Sequence, residues 1–557
     1  MGAGGAGMRA SIELVNSGLK TVIVTKSLLG KAHTVMAEGG IAASLGDVDP
    51  QDNWKVHFND TVVEGVYIGD WRMAEILAKE APERVYELEK YGALFDRTPE
   101  GKIMQRAFGA HTYRRLCHVG DKTGLEIIRT LEDQVLHKDI KVFDETIITK
   151  IIVAGGRVAG AVGLKIREGK FIFIKAKAIL VATGGLGRLY HVTSNSWEST
   201  GDGIALAFKS GAVLRDMEMI QFHPTGMVWP PGVKGLLVTE GVRGEGGMLF
   251  NTKGERFMLR YSPQKKELDA RDVVARAIYH EIMSGNGTEH GGVYLDIRHK
   301  GAAFIKKKLP GMYDQFKDFA GVDITKERME VAPTVHYFMG GIMVEADTCA
   351  TNVKGLYSAG EAAGGLHGAN RLGGNSLADI LVFGRRAGIA MVEYIKSAGM
   401  PKVNDSEVID EINRIKSYLN PSGSNPYPII TELRDTMSNN VGIIRDEKGL
   451  FEALEKIKEL RAKVSSIGVK GSLVFNQGLI ACIELENMLL LAECTVRSAL
   501  ERKESRGAHT RSDYPKKDPA MKLNFTCTYD SGSIKIGTSQ IKEMPPELKS
   551  IITPEVY

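Results

Sequence analysis

The first residues that could do chemistry are four glycines near the start of the chain. The string GAGGAG (Gly2–Gly7) is followed by an amphipathic stretch, Met8–Leu19, and by the apolar run Thr21–Val24. This order is typical of the turn, helix and second strand of a dinucleotide-binding βαβ unit, in which glycines let a pyrophosphate lie on the helix N-terminus. We therefore predict that a nucleotide is bound by Gly2, Gly4, Gly5 and Gly7.

This motif departs from its usual form at two places. The strand that should precede Gly2 is missing, and Thr25-Lys26-Ser27 replaces the acid that usually binds a ribose at the end of the second strand. Because hydroxyls can substitute for that acid, we assign Thr25 and Lys26 to the nucleotide. An ordinary tight turn remains the alternative explanation of the glycines taken alone.

The composition excludes several classes of function. The 557 residues are too many for one hydrophobic core and suggest three or four units. The net charge of +4 arises from 72 basic and 68 acidic residues spread along the chain, so no nucleic-acid partner is expected. The nearest candidate for a membrane span, Leu377–Ile395, is interrupted by charged residues. The five cysteines form no CxxC pair, which favours a reducing cytoplasm, no metal site, and iron–sulfur clusters only in another chain.

A histidine lies beside a glycine pair in the string KAHTVMAEGGIA (Lys31–Ala42). This string closely resembles the HTV-A-(E/Q)GGI segment of the flavoprotein subunits of succinate dehydrogenase and fumarate reductase. The histidine of that family carries FAD covalently, so the resemblance implies covalent FAD at His33. A neutral imidazole can add to the 8α carbon of a flavin if charge at the far edge of the ring is stabilised. The same string implies FAD contacts from Thr34, Glu38, Gly39 and Gly40.

Later strings keep the order of that family and imply further FAD contacts. ATGG (Ala182–Gly185) follows an apolar strand, Ala178–Val181, and TGDG (Thr200–Gly203) opens a helix. GLYSAGE (Gly355–Glu361) resembles the segment that binds ribityl or ribose hydroxyls. HGANRLGGNSL (His367–Leu377) resembles the start of a helix whose N–H groups face the flavin pyrimidine edge and stabilise the anionic, reduced ring. The residues assigned to FAD are Ala182, Thr183, Gly184, Asp202, Glu361, Asn375, Ser376 and Leu377.

A four-carbon dicarboxylate needs cationic or hydrogen-bonding groups at both of its ends. The strings QFHPTG (Gln221–Gly226), TEGVRGEGG (Thr239–Gly247) and PTVHYFMGG (Pro333–Gly341) resemble the substrate-binding strings of the family. An arginine from HGANR completes the clamp, because a guanidinium can bind a carboxylate at two points. The residues implied to bind substrate are His223, Thr239, His336 and Arg371, together with Phe108 of the RAFG stretch.

The resemblance also implies a proton donor. ELDARD (Glu267–Asp272) is similar to the EL-PRD string of the family, whose arginine protonates the substrate, although Ala270 stands where proline is common. Arg271 is therefore the predicted catalytic acid, with Glu240 and Arg243 as a proton relay behind it. The implied reaction is hydride transfer from N5 of reduced FAD to one alkene carbon of fumarate and proton transfer from Arg271 to the other. Succinate oxidation is the reverse path.

These assignments imply an α/β fold built around a Rossmann-like FAD-binding domain. That domain would comprise residues 1–222 and 337–402 and be interrupted by an α+β capping domain, 223–336, that closes over substrate. A helical domain, 403–508, and a C-terminal segment, 509–557, would follow. Within the helical domain, apolar residues recur at helical spacing over Leu479–Arg502 and are interpreted as bundle core.

Two other functions are compatible with parts of the sequence. L-aspartate oxidase shares the fold, but that family lacks the covalent histidine and has a glutamate for the substrate amino group near the position of Phe108. A non-catalytic flavin electron-transfer module would have no use for His223, Arg271, His336 and Arg371 together.

The resemblance also implies partners for the catalytic subunit. These are the iron–sulfur protein subunit together with, in some relatives, membrane anchors with quinone, so the chain would be peripheral at the inner face of the cell membrane. A thiol-linked fumarate reductase stays open, and Glu38 leans weakly toward fumarate reduction.

Overall fold

The N-terminal glycine string leads directly into a helix, as the sequence predicts. In the computed structural model, which describes residues 1–556, α1 (Gly5–Asn16) is followed by strand β1 (Val22–Val24). β1 pairs in parallel with β5 (Lys141–Phe143), and β9 (Ile179–Val181) pairs in parallel with β16 (Leu356–Ser358). These two parallel pairs are joined through the backbone of Met1 and Gly2.

Met1 and Gly2 connect those two pairs. The nitrogen of Met1 donates to the carbonyl of Leu180 at 2.8 Å, and the nitrogen of Ala182 donates to the carbonyl of Met1 at 2.9 Å. On the other side, the nitrogen of Gly2 donates to the carbonyl of Val24 at 2.8 Å. No strand precedes Gly2 among the described residues, as the sequence indicates, and these two residues hydrogen-bond at the position where the end of a first strand would lie.

Two small sheets and five further helices complete the N-terminal part. Gly384 lies on the helix that packs against α1, and a methyl group there would stand 2.8 Å from the carbonyl oxygen of Ala6. Glycine therefore lets the two helices approach closely.

The helices besides α1 are α2 (Trp54–Glu64), α3 (Trp71–Lys90), α4 (Thr123–His137), α5 (Asp202–Lys209) and α11 (Asn375–Ser397). One sheet has the spatial order β2 (Ile41–Ala42), β4 (Leu116–Cys117), β3 (Gln105–Arg106). The other has the order β6 (Thr146–Ala154), β7 (Arg157–Lys165), β8 (Lys170–Lys175).

The part of the chain that comprises residues 220–338, here called the inserted part, has its own antiparallel sheet and its own core. Two of its strands also reach the N-terminal part, since Ile220 pairs with Phe338 at one end and Met227 with Val331 at the other. The predicted boundaries at 223 and 336 fall within these two strands. The sheet runs in the order β11 (Ile220–Met227), β14 (Met329–Phe338), β13 (Val293–Asp296) and β12 (Met248–Phe250). The helices are α6 (Gly241–Gly244), α7 (Met258–Tyr261), α8 (Arg271–Glu281), α9 (Ala302–Lys308) and α10 (Pro310–Ala320). The core includes Val242, Leu249, Ile278, Leu295 and Phe316.

The C-terminal part is helical and then returns to the N-terminal part. Helices α12 (Asp405–Ser417), α13 (Pro426–Asn440), α14 (Glu447–Lys463) and α15 (Gln477–Glu501) begin at side-chain caps of asparagine or aspartate. The predicted helix over Leu479–Arg502 is confirmed as α15. The remaining strands are β18 (Ile444–Arg445), paired with β19 (Thr510–Arg511), and the sheet of β17 (Ala363–Gly364), β15 (Gly341–Met343), β10 (Leu214–Arg215), β20 (Leu523–Asp530) and β21 (Ser533–Gln540). A short helix, α16 (Pro546–Lys549), closes the chain.

No helix within residues 1–556 is long and apolar enough to cross a membrane.

Candidate active site

One long cavity is lined by most of the residues that the sequence assigns to a nucleotide. It runs from the glycine turn before α1, past the end of β1, to the first turn of α11. The N–H groups in the first turn of a helix have no intrahelical acceptor. The starts of α1 and α11 therefore offer hydrogen-bond donors to the cavity. The predicted residues on its wall are Gly2, Gly4, Gly5, Thr25, Lys26, His33, Thr34, Ala182, Thr183, Gly184, Asp202, Glu361, Ser376 and Leu377.

Five predicted nucleotide residues do not line this cavity. Gly7 faces its own turn, where a methyl group would lie 2.1 Å from the carbonyl oxygen of Gly2. The side chain of Asn375 is held from behind, because its Nδ2 donates to Thr61 Oγ1 at 3.0 Å and His57 Nε2 donates to its Oδ1 at 2.8 Å. The other three are Glu38, Gly39, which lies against the ring of Phe108, and Gly40, which lies against Leu116 and Cys117.

Glu38 and Gly39 lie beside a buried arginine. Nη2 of Arg106 donates to the carbonyl of Glu38 and its Nε donates to that of Gly39, both at 2.8 Å. Burial, and then the nearby Asp121, raise the pKa of Glu38 well above its ordinary value. Its Oε2 is buried with no hydrogen-bond partner. The surroundings of Glu38 therefore favour its neutral form more than water does.

Lys26 fixes the end of the cavity where the missing ribose acid is expected. Its Nζ lies 2.8 Å from Asp202 Oδ2, 2.7 Å from Glu484 Oε1 and 2.8 Å from Thr200 Oγ1. Two carboxylates thus surround one ammonium group. The site at the end of β1 carries acid after all, but the acid comes from α5 and α15 and not from the strand itself.

His33 lies at the other end of the cavity as a neutral imidazole. Burial, and then the positive charges of Arg188 and Arg371, lower the pKa of His33 to about 4. Its Nδ1 is buried without a partner, and its Nε2 lies 3.4 Å from Nδ2 of Asn195. An uncharged ring nitrogen is the form that can act as a nucleophile.

Two arginines from different parts of the chain meet at one side-chain amide. Nη1 of Arg271, the first residue of α8, donates to Oε1 of Gln221 at 3.1 Å. Nη2 of Arg371, four residues before α11, donates to the same oxygen at 3.0 Å. Burial, and then Arg271, lower the pKa of Arg371 to about 9. The amide oxygen holds two guanidinium groups side by side at the junction of the two cores.

Two predicted histidines stand next to this pair of arginines and reach back to His33. The ring centres of His223 and His336 are 5.1 Å apart, and those of His336 and His33 are 6.4 Å apart. Burial lowers the pKa of both well below the ordinary value; Arg271 adds to this for His223 and the neighbouring His223 for His336. Since His336 also lines the cavity, the three rings connect the cavity to the arginine pair.

Behind Arg271 lies the predicted relay. Nε of Arg271 donates to Oε2 of Glu240 at 2.8 Å, and the nitrogen of Gly109 donates to Oε1 at 2.7 Å. Arg243 Nη2 is 3.6 Å from the same carboxylate. Burial opposes ionisation of Glu240, but the two guanidinium groups and the hydrogen bonds hold its pKa below the ordinary value. The order Arg271, Glu240, Arg243 is thus a continuous line of charged groups.

Thr239 and Phe108 are also buried beside these residues. Thr239 begins the turn into α6, and its Oγ1 accepts from the nitrogen of Gly241 at 3.2 Å. The Phe108 ring lies against Gly373, where a methyl group would stand 2.6 Å from the ring and 3.3 Å from Nη2 of Arg271. Phe108 therefore forms an apolar wall next to Arg271 and carries no charge for an ammonium group.

Comparisons with known proteins agree with this arrangement. The model of the FAD binding domain matches residues 1–377, and the model of the fumarate reductase flavoprotein C-term matches residues 430–554. The chain belongs to the flavoprotein subunit family of succinate dehydrogenase and fumarate reductase. It is therefore a flavin-dependent oxidoreductase, and the predicted fold class, a Rossmann-like FAD-binding domain with an inserted capping domain followed by helices, is confirmed.

Three relatives in this family illustrate the range of similarity. A fumarate reductase (CoM/CoB) subunit of Methanothermobacter marburgensis is 49% identical over 94% of this chain and 95% of the relative. The succinate dehydrogenase flavoprotein subunit of Coxiella burnetii is 41% identical over 96% of this chain and 94% of the relative. The structure of Mycobacterium smegmatis Sdh1 in complex with UQ1 superposes with a TM-score of 0.90 at 50% identity, over 100% of this chain and 97% of that one.

The cavity of this family member fits FAD. Gly2 adopts φ +98°, and a side chain there would collide with the carbonyl of Ala182, so the backbone of this turn is bare toward the cavity. Thr183 Oγ1 and His33 Nδ1 are buried without partners. Such orphaned groups call for a polar ligand, and the wall supplies both ends of an extended dinucleotide site.

Sequence reasoning missed Gln221, Ser194 and Asn195. Gln221 is the first residue of the string QFHPTG, but only its bridging of two arginines distant in sequence reveals its role. Oγ of Ser194 lies 2.8 Å from Nδ1 of His336, and Nδ2 of Asn195 donates to the carbonyl of His336 at 2.8 Å. The SN pair carries no signal of its own in the sequence.

Proposed function

We propose that this chain is the catalytic flavoprotein subunit that interconverts succinate and fumarate. The observation that carries the proposal is the convergence of Arg271 and Arg371 on Gln221, with His223 and His336 beside them. Two guanidinium groups and two neutral imidazoles can bind both carboxylates of a short diacid by charge and hydrogen bonds.

The clamp residues have distinct roles in this proposal. Arg371, His336, His223 and Thr239 hold the dicarboxylate and polarise it. Arg271 gives a proton to the substrate carbon during fumarate reduction and takes one back during succinate oxidation. Glu240 and Arg243 return that proton from solvent, because they continue the line of ionisable groups behind Arg271. Phe108 keeps the site apolar on one side, which favours a dicarboxylate over an amino acid substrate.

FAD, when bound, supplies the acceptor and donor of the hydride. We propose that the cavity residues from Gly2 to Leu377 hold it and that His33 bonds to it covalently. The neutral state of His33 supports this attachment, since only an unprotonated nitrogen has the electron pair that a new bond requires. Ser376 and Leu377, at the start of α11, would present helix N–H groups to the bound flavin and would stabilise negative charge on its ring.

The electron partner is proposed from the relatives. One is named for the thiols CoM and CoB, and another has a structure with the quinone UQ1. Both are compatible with an iron–sulfur subunit that accepts electrons from this chain in the cytoplasm, at the inner face of the membrane where an anchor subunit is present. The domain boundaries 1–222, 223–336, 337–402, 403–508 and 509–557 are likewise proposed.

Two measurements on the purified holoprotein test the proposed function. Acid precipitation should leave yellow, fluorescent flavin in the pellet of the wild type and none in that of His33→Ala. Succinate should reduce an artificial acceptor with the wild type and not with Arg271→Ala, whose flavin content should be unchanged. A flavinylated wild type that reduces no acceptor with succinate would contradict catalysis and favour an electron-transfer module.

A further inference from the structure

We propose that Glu64 is a positioning residue for the substrate clamp, acting through the side chain of Asn370. Glu64 is the last residue of α2, its side chain is buried, and no step of the proposed reaction uses it. Its Oε1 accepts a hydrogen bond from Nδ2 of Asn370 at 2.7 Å. This inference rests on the proposed function, because the groups that it positions are the predicted dicarboxylate ligands.

Asn370 begins a chain of two amides that ends at both arginines. Its Nδ2 also donates to Oδ1 of Asp272 at 3.0 Å, and its Oδ1 accepts from Nε2 of Gln221 at 2.8 Å. Gln221 in turn presents its Oε1 to Arg271 and Arg371 at 3.1 and 3.0 Å. Every member of the chain from Asn370 to the arginines is buried.

The two carboxyl groups dictate which way both amides face. An amide has donors on nitrogen and acceptors on oxygen, so it can be inserted in either of two orientations. Because Glu64 and Asp272 both offer acceptors, the nitrogen of Asn370 must face them and its oxygen must face Gln221. Gln221 must then turn its nitrogen to Asn370 and its oxygen to the arginines. A reversed Gln221 would place NH₂ donors against two guanidinium groups, which would push the arginines apart.

The carboxyl group of Glu64 does not have to be ionised to do this, because it has an acceptor oxygen in either form. Burial raises the pKa of Glu64 well above its ordinary value, and the carboxylates of Asp272 and Glu240 raise it further. Lys265 and Arg271 act in the opposite direction and do not outweigh them. Asp272 also pairs with Arg276, whose Nη2 lies 2.8 Å from its Oδ2. The contact that matters here is the hydrogen bond that Glu64 Oε1 accepts from Asn370.

The chain of contacts also joins the two parts of the molecule that enclose the substrate. Glu64 and Asn370 belong to the N-terminal part, whereas Asp272 and Arg271 are neighbours on α8 of the inserted part. The hydrogen bond between Asn370 and Asp272 therefore aligns the inserted part against the N-terminal part at the catalytic arginine. A loss of Glu64 leaves Asn370 with one acid partner and frees its amide to turn.

The test compares Glu64→Leu and Glu64→Gln in the flavinylated holoprotein. Leucine removes the acceptor, whereas glutamine keeps a carbonyl oxygen that can accept from Asn370. We expect Glu64→Leu to lower kcat/KM for succinate about tenfold, mainly through KM, and Glu64→Gln to stay within about twofold of the wild type. Binding of the non-reacting dicarboxylate malonate, followed by the change in flavin absorbance, should weaken by the same factor as KM in each variant.

Glu411→Leu is the matched control for loss of a buried acid. Glu411 lies on α12, is buried like Glu64, and pairs with Arg414 at 2.8 Å, far along the chain from the clamp residues. It should leave KM and malonate affinity unchanged. Should Glu64→Leu not accumulate as folded protein, Glu64→Met fills the same volume without an acceptor and takes its place.

The outcomes separate this inference from the proposed function. A wild type that turns over succinate, with Glu64→Leu equal to it in KM and malonate affinity, overturns the role of Glu64 alone. An equal loss in Glu64→Leu and Glu64→Gln also overturns it, because the carbonyl acceptor would then not be what matters. A wild type without turnover and without malonate binding instead overturns the proposed function.

Discussion

The buried arginines near the end of α15 and the buried Arg371 of the clamp are built in opposite ways. In the group near the end of α15, which we call the tail cluster (Glu218, Arg502, Glu504 and Arg506), every guanidinium has carboxylate partners. Arg502 lies 2.7 Å from Glu218 and 2.9 Å from Glu504, and Arg506 lies 2.7 Å from Glu504. All four side chains are almost fully buried.

Arg371 of the clamp has no such partner within the described residues. Its hydrogen bonds go to the neutral oxygens of Gln221 and Ser376, and its guanidinium lies 4.5 Å from the centre of the Tyr337 ring. Its Nε has no hydrogen-bond partner. A buried charge without a counter-charge costs free energy unless a ligand neutralises it. The comparison teaches that the tail cluster is complete as folded, and the unpaired charge of Arg371 supports the proposal that the clamp binds an anion.

The largest expected effect is on turnover when the unpaired charge is removed. Arg371→Met should lower succinate turnover by about a thousandfold, since the main cationic group of the clamp is lost. Its free energy of unfolding should be unchanged or higher, because an uncompensated buried charge is replaced by an apolar chain. Steady-state kinetics and urea unfolding measure both quantities. A strongly destabilised Arg371→Met would mean that Arg371 has a structural partner like those of the tail cluster.

The opposite result is expected in the tail cluster. Arg502→Met should lower the free energy of unfolding by about 3–5 kcal/mol, because it leaves Glu218 and Glu504 buried without their shared partner. Turnover per folded, flavinylated molecule should stay at the wild-type level. Urea unfolding followed by fluorescence checks the stability. If Arg502→Met is as stable as the wild type, the tail cluster and Arg371 do not differ in the way described.

A dicarboxylate should stabilise the protein through the clamp only. At a malonate concentration of about 100 Kd, the free energy of unfolding should rise by about 2.7 kcal/mol, as mass action requires for a ligand of the folded state. Thermal melting with and without malonate measures the shift. Arg502→Met should keep this increment and Arg371→Met should lose it. An increment that survives in Arg371→Met would place the anion elsewhere.

The smallest expected effect is a pH dependence from the buried histidines. The pKa values of His223 and His336 are lowered by burial, so their unfolded forms bind protons at a higher pH than their folded forms do. Stability therefore falls as pH drops below about 6.5, by up to ~1.4 kcal/mol per pH unit for each histidine. His336→Asn should remove one share of this slope. Malonate should also reduce the slope, because an anion beside the rings favours their protonated forms.

The motif strings allowed the fold class to be predicted from sequence, and most of the residues that they assign to the nucleotide lie on the cavity wall. Glycine turns, helix starts and apolar strands are local features, so α1, α11, α15 and the strands at Val22–Val24 and Ile179–Val181 lie where the sequence indicates. Met1 and Gly2 hydrogen-bond to the ends of β9 and β1, at the position where the end of a first strand would lie.

Sequence alone could not separate cavity residues from their supports. Asn375 and Gly7 belong to the nucleotide strings, yet one is bound to His57 and Thr61 and the other closes its own turn. The bridging role of Gln221 depends on two arginines that are 100 positions apart, Arg271 and Arg371. Such long-range convergence has no local pattern and needs coordinates.

The central claim is that the clamp presents a dicarboxylate to the flavin. Its most direct test is anaerobic addition of succinate to the flavinylated protein, without any acceptor, while the flavin absorbance is recorded. We predict bleaching of the oxidised flavin and its return when excess fumarate is added, with Arg371→Met unresponsive to both. Two results together would contradict the account. The wild-type flavin would remain oxidised in saturating succinate, and flavin first reduced with dithionite would not be reoxidised when fumarate is added.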